Sequence, residues 1–211
     1  MKILNLYAGI GGNRKLWGDE HEITAVEYDQ ATADVYKSYF PNDIVIVADA
    51  HQYLLENYMN YDFIWASPPC PSHSDIRRCG VHAGQYEALY PDMALYQEII
   101  LLKNFAPFKT KFCIENVKPY YPPLILPSFV LDRHFFWSNF NVPKVEIEKE
   151  GKAHQDINGS DILHGFSVKD SEIENKKKAI RNMCDPKLGL HILNCAIGSQ
   201  LPMNLGLFEN V

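Results

Sequence analysis

The 211-residue chain lacks any apolar run approaching the roughly 18 residues of a membrane span. A membrane protein is therefore not expected. Its 5 cysteines, Cys70, Cys79, Cys113, Cys184 and Cys195, form no CxxC pair and are odd in number. That speaks against a disulfide scaffold and against a zinc site, and no metal is expected. The opening residues, MKILNLYAG, run straight into strand-like sequence, so no signal peptide is expected and a cytoplasmic location is. Internal repeats and low-complexity tracts are lacking too. Nor is there an excess of basic charge: 20 Lys and Arg stand against 26 Asp and Glu, a net charge of −6. That balance alone does not suggest a nucleic-acid binder. The deficit is uneven, with 4 basic and 9 acidic side chains in residues 1–60 and near balance beyond. This fits a small-molecule half beside a half able to meet an anion, and it fits ordinary solvated faces equally well. What the chain does have is 46% apolar and 22% charged residues, the composition of one globular domain over residues 1–211.

The first half alternates two periodicities. Short β-rich runs cover Ile3–Ala8, Glu22–Tyr28, Asp43–Ala48, Tyr61–Ala66 and Lys111–Val117. Between them, Asn13–Trp17, Gln30–Phe40, His51–Asn57 and Pro91–Asn104 read as helix. Strands alternating with helices at this spacing predict βαβ units and a mostly parallel, doubly wound α/β sheet, with ligands at the carboxyl ends of the strands. After Val117 a proline-rich stretch, residues 118–128, excludes a long helix. His134–Phe140 reads as another strand, and Lys176–Arg181 and Pro186–Leu193 as partly helical.

Chemistry-bearing residues gather at the predicted strand ends. Strand one runs into Tyr7-Ala8-Gly9-Ile10-Gly11-Gly12, a turn that lets a ligand approach the backbone at a helix start. It departs from GxGxxG, and no GK[ST] phosphate loop is present. Strand two ends at Glu27-Tyr28, where a carboxylate can take both ribose hydroxyls. Strand three ends at Asp49-Ala50, where a carboxylate can reach an adenine amine. An adenosyl cofactor follows, and without a phosphate-binding lysine S-adenosylmethionine fits better than ATP. Strand four ends in Pro68-Pro69-Cys70, with the prolines fixing the backbone that presents the thiol. Strand five ends in Glu115-Asn116-Val117, which sets a carboxyl beside that thiol. A lone cysteine is more often inert than nucleophilic, and the neighbouring acid is what favours the nucleophile here. The histidines, His51 among them, share no metal spacing and read as surface or structural. Tyr120, Tyr121 and Trp137 could stack on a base, although core packing is the commoner fate.

In that order, YAGIGG, Glu27, Asp49, PPC and ENV resemble the DNA cytosine methyltransferases that modify carbon 5. The likeness extends over roughly residues 3–139 and 160–200. HFFWSN at 134–139 is similar to the corresponding strand of the eukaryotic de novo enzymes, and Asp161–Ser167 to a late "GFP" element. Asn194–Ile197 is similar to a final cofactor-side segment. The resemblance implies a Rossmann-like, S-adenosylmethionine-dependent methyltransferase with Cys70, Glu115 and Arg133 in catalysis. The cofactor would meet Tyr7, Ala8, Gly9, Ile10, Gly11, Gly12, Glu27, Tyr28, Asp49, Ala50, Pro69, Asn194 and Ile197. The Cys70 thiolate would add to carbon 6 of a cytosine flipped out of DNA. A bacterial or phage origin is the natural expectation for so small a member.

Three departures accompany the resemblance. The family carries two alternating arginines after ENV, whereas here only Arg133 is evident and His134 stands in the second place. PPC is followed by Pro71-Ser72-His73-Ser74, and Ser72–Tyr86 reads as a mobile loop. Only about twenty residues, at about 140–160, replace a target-recognition region, and they include Glu146, Glu148, Glu150 and Asp156. That is too short and acidic to read many bases. It implies relaxed specificity, a protein partner that supplies recognition, or RNA or a free cytosine nucleotide as substrate. A non-catalytic accessory subunit is the remaining alternative. Lys176, Lys177, Lys178 and Arg181 are candidate phosphate contacts or simply a solvated face.

Overall fold

The computed structural model describes residues 1–131, 133–145 and 162–198. A seven-stranded sheet has the order β3-β2-β1-β4-β5-β7-β6. Its strands are β1 (Lys2–Leu6), β2 (Glu22–Glu27), β3 (Ile44–Val47), β4 (Phe63–Ala66), β5 (Lys111–Val117), β6 (Phe129–Leu131) and β7 (His134–Ser138). The first five are parallel, and β7 runs antiparallel to both β5 and β6. The helices are α1 (Gln30–Tyr39), α2 (Ala50–Asn57), α3 (Asp75–His82), α4 (Ala94–Phe105), α5 (Lys176–Arg181) and α6 (Pro186–Ile197). A two-stranded hairpin, β8 (Ile162–Leu163) with β9 (Phe166–Ser167), precedes α5. The doubly wound, mostly parallel sheet expected from the sequence is the one observed.

Side-chain alternation divides the core between the two faces of the sheet. Leu4, Leu6, Ile64, Phe112 and Ile114 meet Leu54 of α2 and Leu95, Ile99 and Leu102 of α4. Ile3, Phe63, Trp65 and Cys113 point the other way, onto Trp17 and onto Leu188, Ile192 and Leu193 of α6. Ala25 faces Val35 and Tyr36 of α1 in a third cluster with Ala8, Phe166 and Ile180. Two of these helices begin where strand ends need acids. Asp29 caps α1 by accepting from Thr32 N–H, and Asp49 caps α2 by accepting from Gln52 N–H.

Three local expectations need correction. Asn13–Trp17 is a succession of turns, closed by bonds such as Arg14 N–H to the Gly11 carbonyl, and not a helix. The stretch is only five residues long and follows a left-handed Gly11, too little to propagate α-helix. The segment after Cys70 is not simply a loop, because Ser74 caps the eight-residue α3. Arg133 lies in the turn before β7 and not in the strand itself. Among the described residues no helix is long and apolar enough to cross a membrane, no group of residues is arranged to hold a metal, and the cysteines are free. Most of the short insert, residues 146–161, lies outside the described residues.

Candidate active site

The glycine turn leaves β1 through two left-handed residues, Tyr7 (φ 55°) and Gly9 (φ 56°). Tyrosine rarely adopts that conformation, so its side chain must be held. Its hydroxyl donates to Oε1 of Glu98, a fully buried residue of α4, and His51 Nδ1 lies 3.0 Å from the same oxygen. Burial, and next the Glu98 charge, push the Tyr7 phenol far up. Beneath the turn Asn13 and Asn5 pair side chain to side chain, with Asn13 Nδ2 donating to Asn5 Oδ1 at 2.7 Å. The turn is thereby fixed from two sides.

Glu27 joins the ends of β1 and β2, its two oxygens accepting from Gly9 N–H at 2.9 Å and Asp29 N–H at 3.0 Å. Each carboxylate oxygen has a further lone pair to offer. Asp49 is exposed and uses Oδ1 on its cap, and Tyr28 beside Glu27 is also exposed. The structure thus brings Tyr7, Ala8, Gly9, Ile10, Gly11, Gly12, Glu27, Tyr28, Asp49, Ala50 and Pro69 to the carboxyl edge of the sheet.

Asn194 and Ile197 are not brought there. Gly189 of α6 packs on Asn13, and the helix then descends the sheet toward Ile3 and Phe63 at the opposite edge. Eight residues of helix carry Ile197 about 12 Å from that contact. The sequence likeness of Asn194–Ile197 therefore does not translate into a place in the cleft.

Cys70 is half-buried at the turn after β4, where its carbonyl accepts from His73 and Ser74 N–H. Asn116 fixes this turn from β5, its Nδ2 donating to the Pro68 carbonyl at 2.9 Å. Glu115 points to the face of the sheet that Cys113 shares with α6, and its Oε1 lies 3.5 Å from His134 Nε2. His134, in the place of the second arginine, thus positions the Glu115 carboxyl. Burial pushes the Cys70 thiol up and the Glu115 charge adds to it, while Lys178 of α5 and Arg133 pull it down. Thiol, carboxyl and two cations therefore share one local field at the strand ends.

The sign of that field is testable. In a Cys79→Ser background, Glu115→Gln removes the nearby negative charge and lowers the Cys70 pKa. Alkylation of Cys70 by iodoacetamide at pH 7 is expected to quicken, since a lower pKa leaves more of the thiol as thiolate. An unchanged rate would mean the two groups do not share a field.

Sequence reading missed Glu98 and took His51 for surface. The signal for Glu98 was present: it lies three residues from Leu95 and four from Leu102, on the buried face of an apolar helix. Burial raises the Glu98 pKa above its ordinary 4.5, and the bond to Glu98 raises that of His51 above 6.5. A raised carboxyl pKa means the folded state keeps a proton the unfolded chain loses, so stability falls as pH rises from 4.5 through the folded value. The His51 contribution is present below 6.5 and is lost as pH rises through its raised value. Glu98→Gln removes the first effect and weakens the second. Its melting temperature, relative to wild type, is expected to rise between pH 5 and 8, and scanning calorimetry across that range would refute this with a constant difference.

This sheet order, with its glycine turn and strand-end acids, is the Rossmann-like fold of S-adenosylmethionine-dependent methyltransferases. The chain belongs to the C-5 cytosine-specific DNA methylase family, whose family model matches residues 1–120. Solved structures similar to it include DNMT2 of Spodoptera frugiperda, 28% identical over 56% of this chain and 35% of that one, with a TM-score of 0.37. A putative DNA modification methyltransferase encoded within an E. coli prophage is 21% identical, covering 58% and 33%, with a TM-score of 0.37. A SAM-dependent methyltransferase of Agrobacterium tumefaciens is 14% identical, covering 57% and 40%, with a TM-score of 0.40. The chain spans between a third and two fifths of the length of these relatives. No curated protein matches it. The cofactor is S-adenosylmethionine, and the residues present fit it: Glu27 retains acceptor capacity toward a ribose, and the Gly9 turn is open, an added Cβ there meeting nothing within 4 Å.

Proposed function

We propose that the chain transfers a methyl group to carbon 5 of cytosine in DNA through a covalent adduct with Cys70. The observation that carries this reading is the placement of Cys70 in the turn after β4 beside the parallel strand β5 that bears Glu115, with Asn116 of β5 tied to the Pro68 carbonyl. S-adenosylmethionine supplies an electrophilic methyl group, for which carbon 5 of cytosine is by itself too weak a nucleophile. Cys70 gives up its proton to solvent and its sulfur adds to carbon 6, which turns carbon 5 into an enamine-like carbon. Glu115, protonated, donates to ring nitrogen 3 and neutralises the charge that addition builds there. After methylation a base removes the carbon 5 proton, the carbon–sulfur bond breaks, and the thiolate returns.

The raised Cys70 pKa belongs in this scheme. The Glu115 charge opposes the Cys70 thiolate. Arg133 and Lys178 favour the thiolate throughout. The test is transfer of radiolabelled methyl to cytosine-containing DNA, followed by digestion and identification of the labelled nucleoside. Label in 5-methylcytosine is expected; label in any other base, or none, would overturn the reading.

A further inference from the structure

A single carboxylate on α4 reaches two separate edges of the cofactor cleft. Glu98 is fully buried, and its Oε1 accepts from the Tyr7 hydroxyl after β1 and lies 3.0 Å from Nδ1 of His51 in α2. Tyr7 opens the glycine turn, whose Gly9 N–H donates to Glu27. His51 stands two residues after Asp49, the cap of the same helix. The Asp49 charge reaches the Tyr7 phenol, so the two edges lie side by side. Packing holds the first turn of α2 against α4 only in part. A cavity of about 150 Å³, lined by His51, Leu54, Leu55, Gln97, Glu98 and Leu101, opens between the two helices. For the fold alone this carboxylate is a poor choice. Its Oε2 is buried with no hydrogen-bond partner among the described residues, while its helix neighbours Leu95, Ile99 and Leu102 are apolar core. A buried acid left half-satisfied costs stability that an apolar side chain would not. Such a departure from good packing, kept beside a ligand cleft, points to a function.

We propose that Glu98 is a positioning residue for S-adenosylmethionine, latching the Tyr7 turn and the start of α2 in the arrangement that fits the adenosyl group. Tyr7 needs a latch because its backbone is left-handed, at φ 55°, a conformation that costs a tyrosine free energy to keep. If Tyr7 relaxes, Gly9 moves with it, and its N–H no longer fixes the Glu27 carboxylate toward a ribose. His51 does the corresponding work for α2, holding Asp49 at the adenine edge. Glu98 itself touches no cofactor atom and acts through Tyr7 and His51. A cleft already held in its bound shape loses less binding free energy to ordering. The inference rests on the adenosyl group lying at the ends of β1, β2 and β3, and it does not depend on the methyl acceptor.

The test is calorimetric titration of S-adenosylhomocysteine, run well below the melting temperature and paired with thermal melts of the same proteins. Tyr7→Phe removes only the hydroxyl and Glu98→Met only the carboxyl group. Each is expected to weaken binding about tenfold, the weight of one good hydrogen bond. The double variant should bind no worse than either single one, because both break the same latch. It should also melt no lower than wild type, since the half-satisfied acid and its donor leave together. Weaker binding by a protein of undiminished stability is a split that a purely structural Glu98 cannot give. Glu98→Gln keeps an acceptor for Tyr7 and should hold affinity within about threefold of wild type. Glu27→Ala is the control for the site and should weaken binding whatever holds the turn. The latch is overturned if Glu27→Ala binds weakly while Tyr7→Phe and Glu98→Met bind as wild type does. It is overturned too if the two losses add in the double variant, or if affinity falls only in step with melting temperature. Full affinity in all three single variants would overturn the adenosyl site and the latch with it. Weak binding by the Tyr7 and Glu98 variants with Glu27→Ala unaffected supports the latch and moves the ribose away from Glu27.

Discussion

Cys70→Ser is expected to abolish methyl transfer, with a loss on the order of 10⁴-fold or more, as when other covalent nucleophiles are removed. Serine matches the cysteine in shape, and the half-buried site accepts a hydroxyl without leaving a cavity, so folding should be unaffected. What changes is acidity and softness: a hydroxyl yields almost no anion at neutral pH. Cofactor affinity should survive, because the residues suited to the adenosyl group lie at the ends of β1, β2 and β3, whereas Cys70 follows β4. The informative experiment pairs a radiolabel transfer assay with calorimetric titration of S-adenosylhomocysteine. Loss of transfer with binding intact places Cys70 in the chemistry. A variant that still transfers excludes the covalent scheme. Glu115→Gln separates the roles further, since it should quicken alkylation of Cys70 while slowing transfer, a split that simple misfolding cannot produce.

Much of this arrangement was legible because it rests on local rules. Parallel strands buried on both faces read as apolar runs, and each ends where glycine, acid or proline interrupts the run. Glu27, Asp49, Cys70 and Glu115 therefore fall at strand ends whatever the helices between them do. The two strand-end acids that cap or precede helices, Asp29 and Asp49, also mark helix starts, and both helices begin there. Contacts that join distant segments were not legible. His134 reaches Glu115 because β7 turns back antiparallel to β5, in a register that pairs His134 with Val117. Tyr7 is held by a residue 91 positions away. The descent of α6 from Asn13 toward Ile3, which removes Asn194 and Ile197 from the cleft, follows from packing and leaves no trace in the local motif.

The second large effect concerns the support under the glycine turn. Asp43→Ala is expected to destabilise the fold by about 3–5 kcal/mol, the range for breaking one side of a buried ion pair. Asp43 is a hub: it accepts from Arg14 Nε at 2.9 Å, from a terminal guanidinium nitrogen at 3.1 Å, and from the Tyr36 hydroxyl at 2.7 Å. Both side chains of the ion pair are only 3% exposed. Without the carboxylate, Arg14 keeps the mostly exposed Asp19 and the Phe40 ring, 4.9 Å from its guanidinium carbon, and Tyr36 loses the Asp43 acceptor in the core. For a domain of this size the melting temperature should fall by about 10 °C. Arg14 donates its N–H to the Gly11 carbonyl, so the turn itself should loosen and cofactor affinity should drop with stability. Arg14→Met combined with Asp43→Leu removes both charges together, and it should be more stable than Asp43→Ala alone. If the single variant melts within a degree or two of wild type, the buried pair is not what holds the turn, and the Asn5–Asn13 pair would have to carry that role instead.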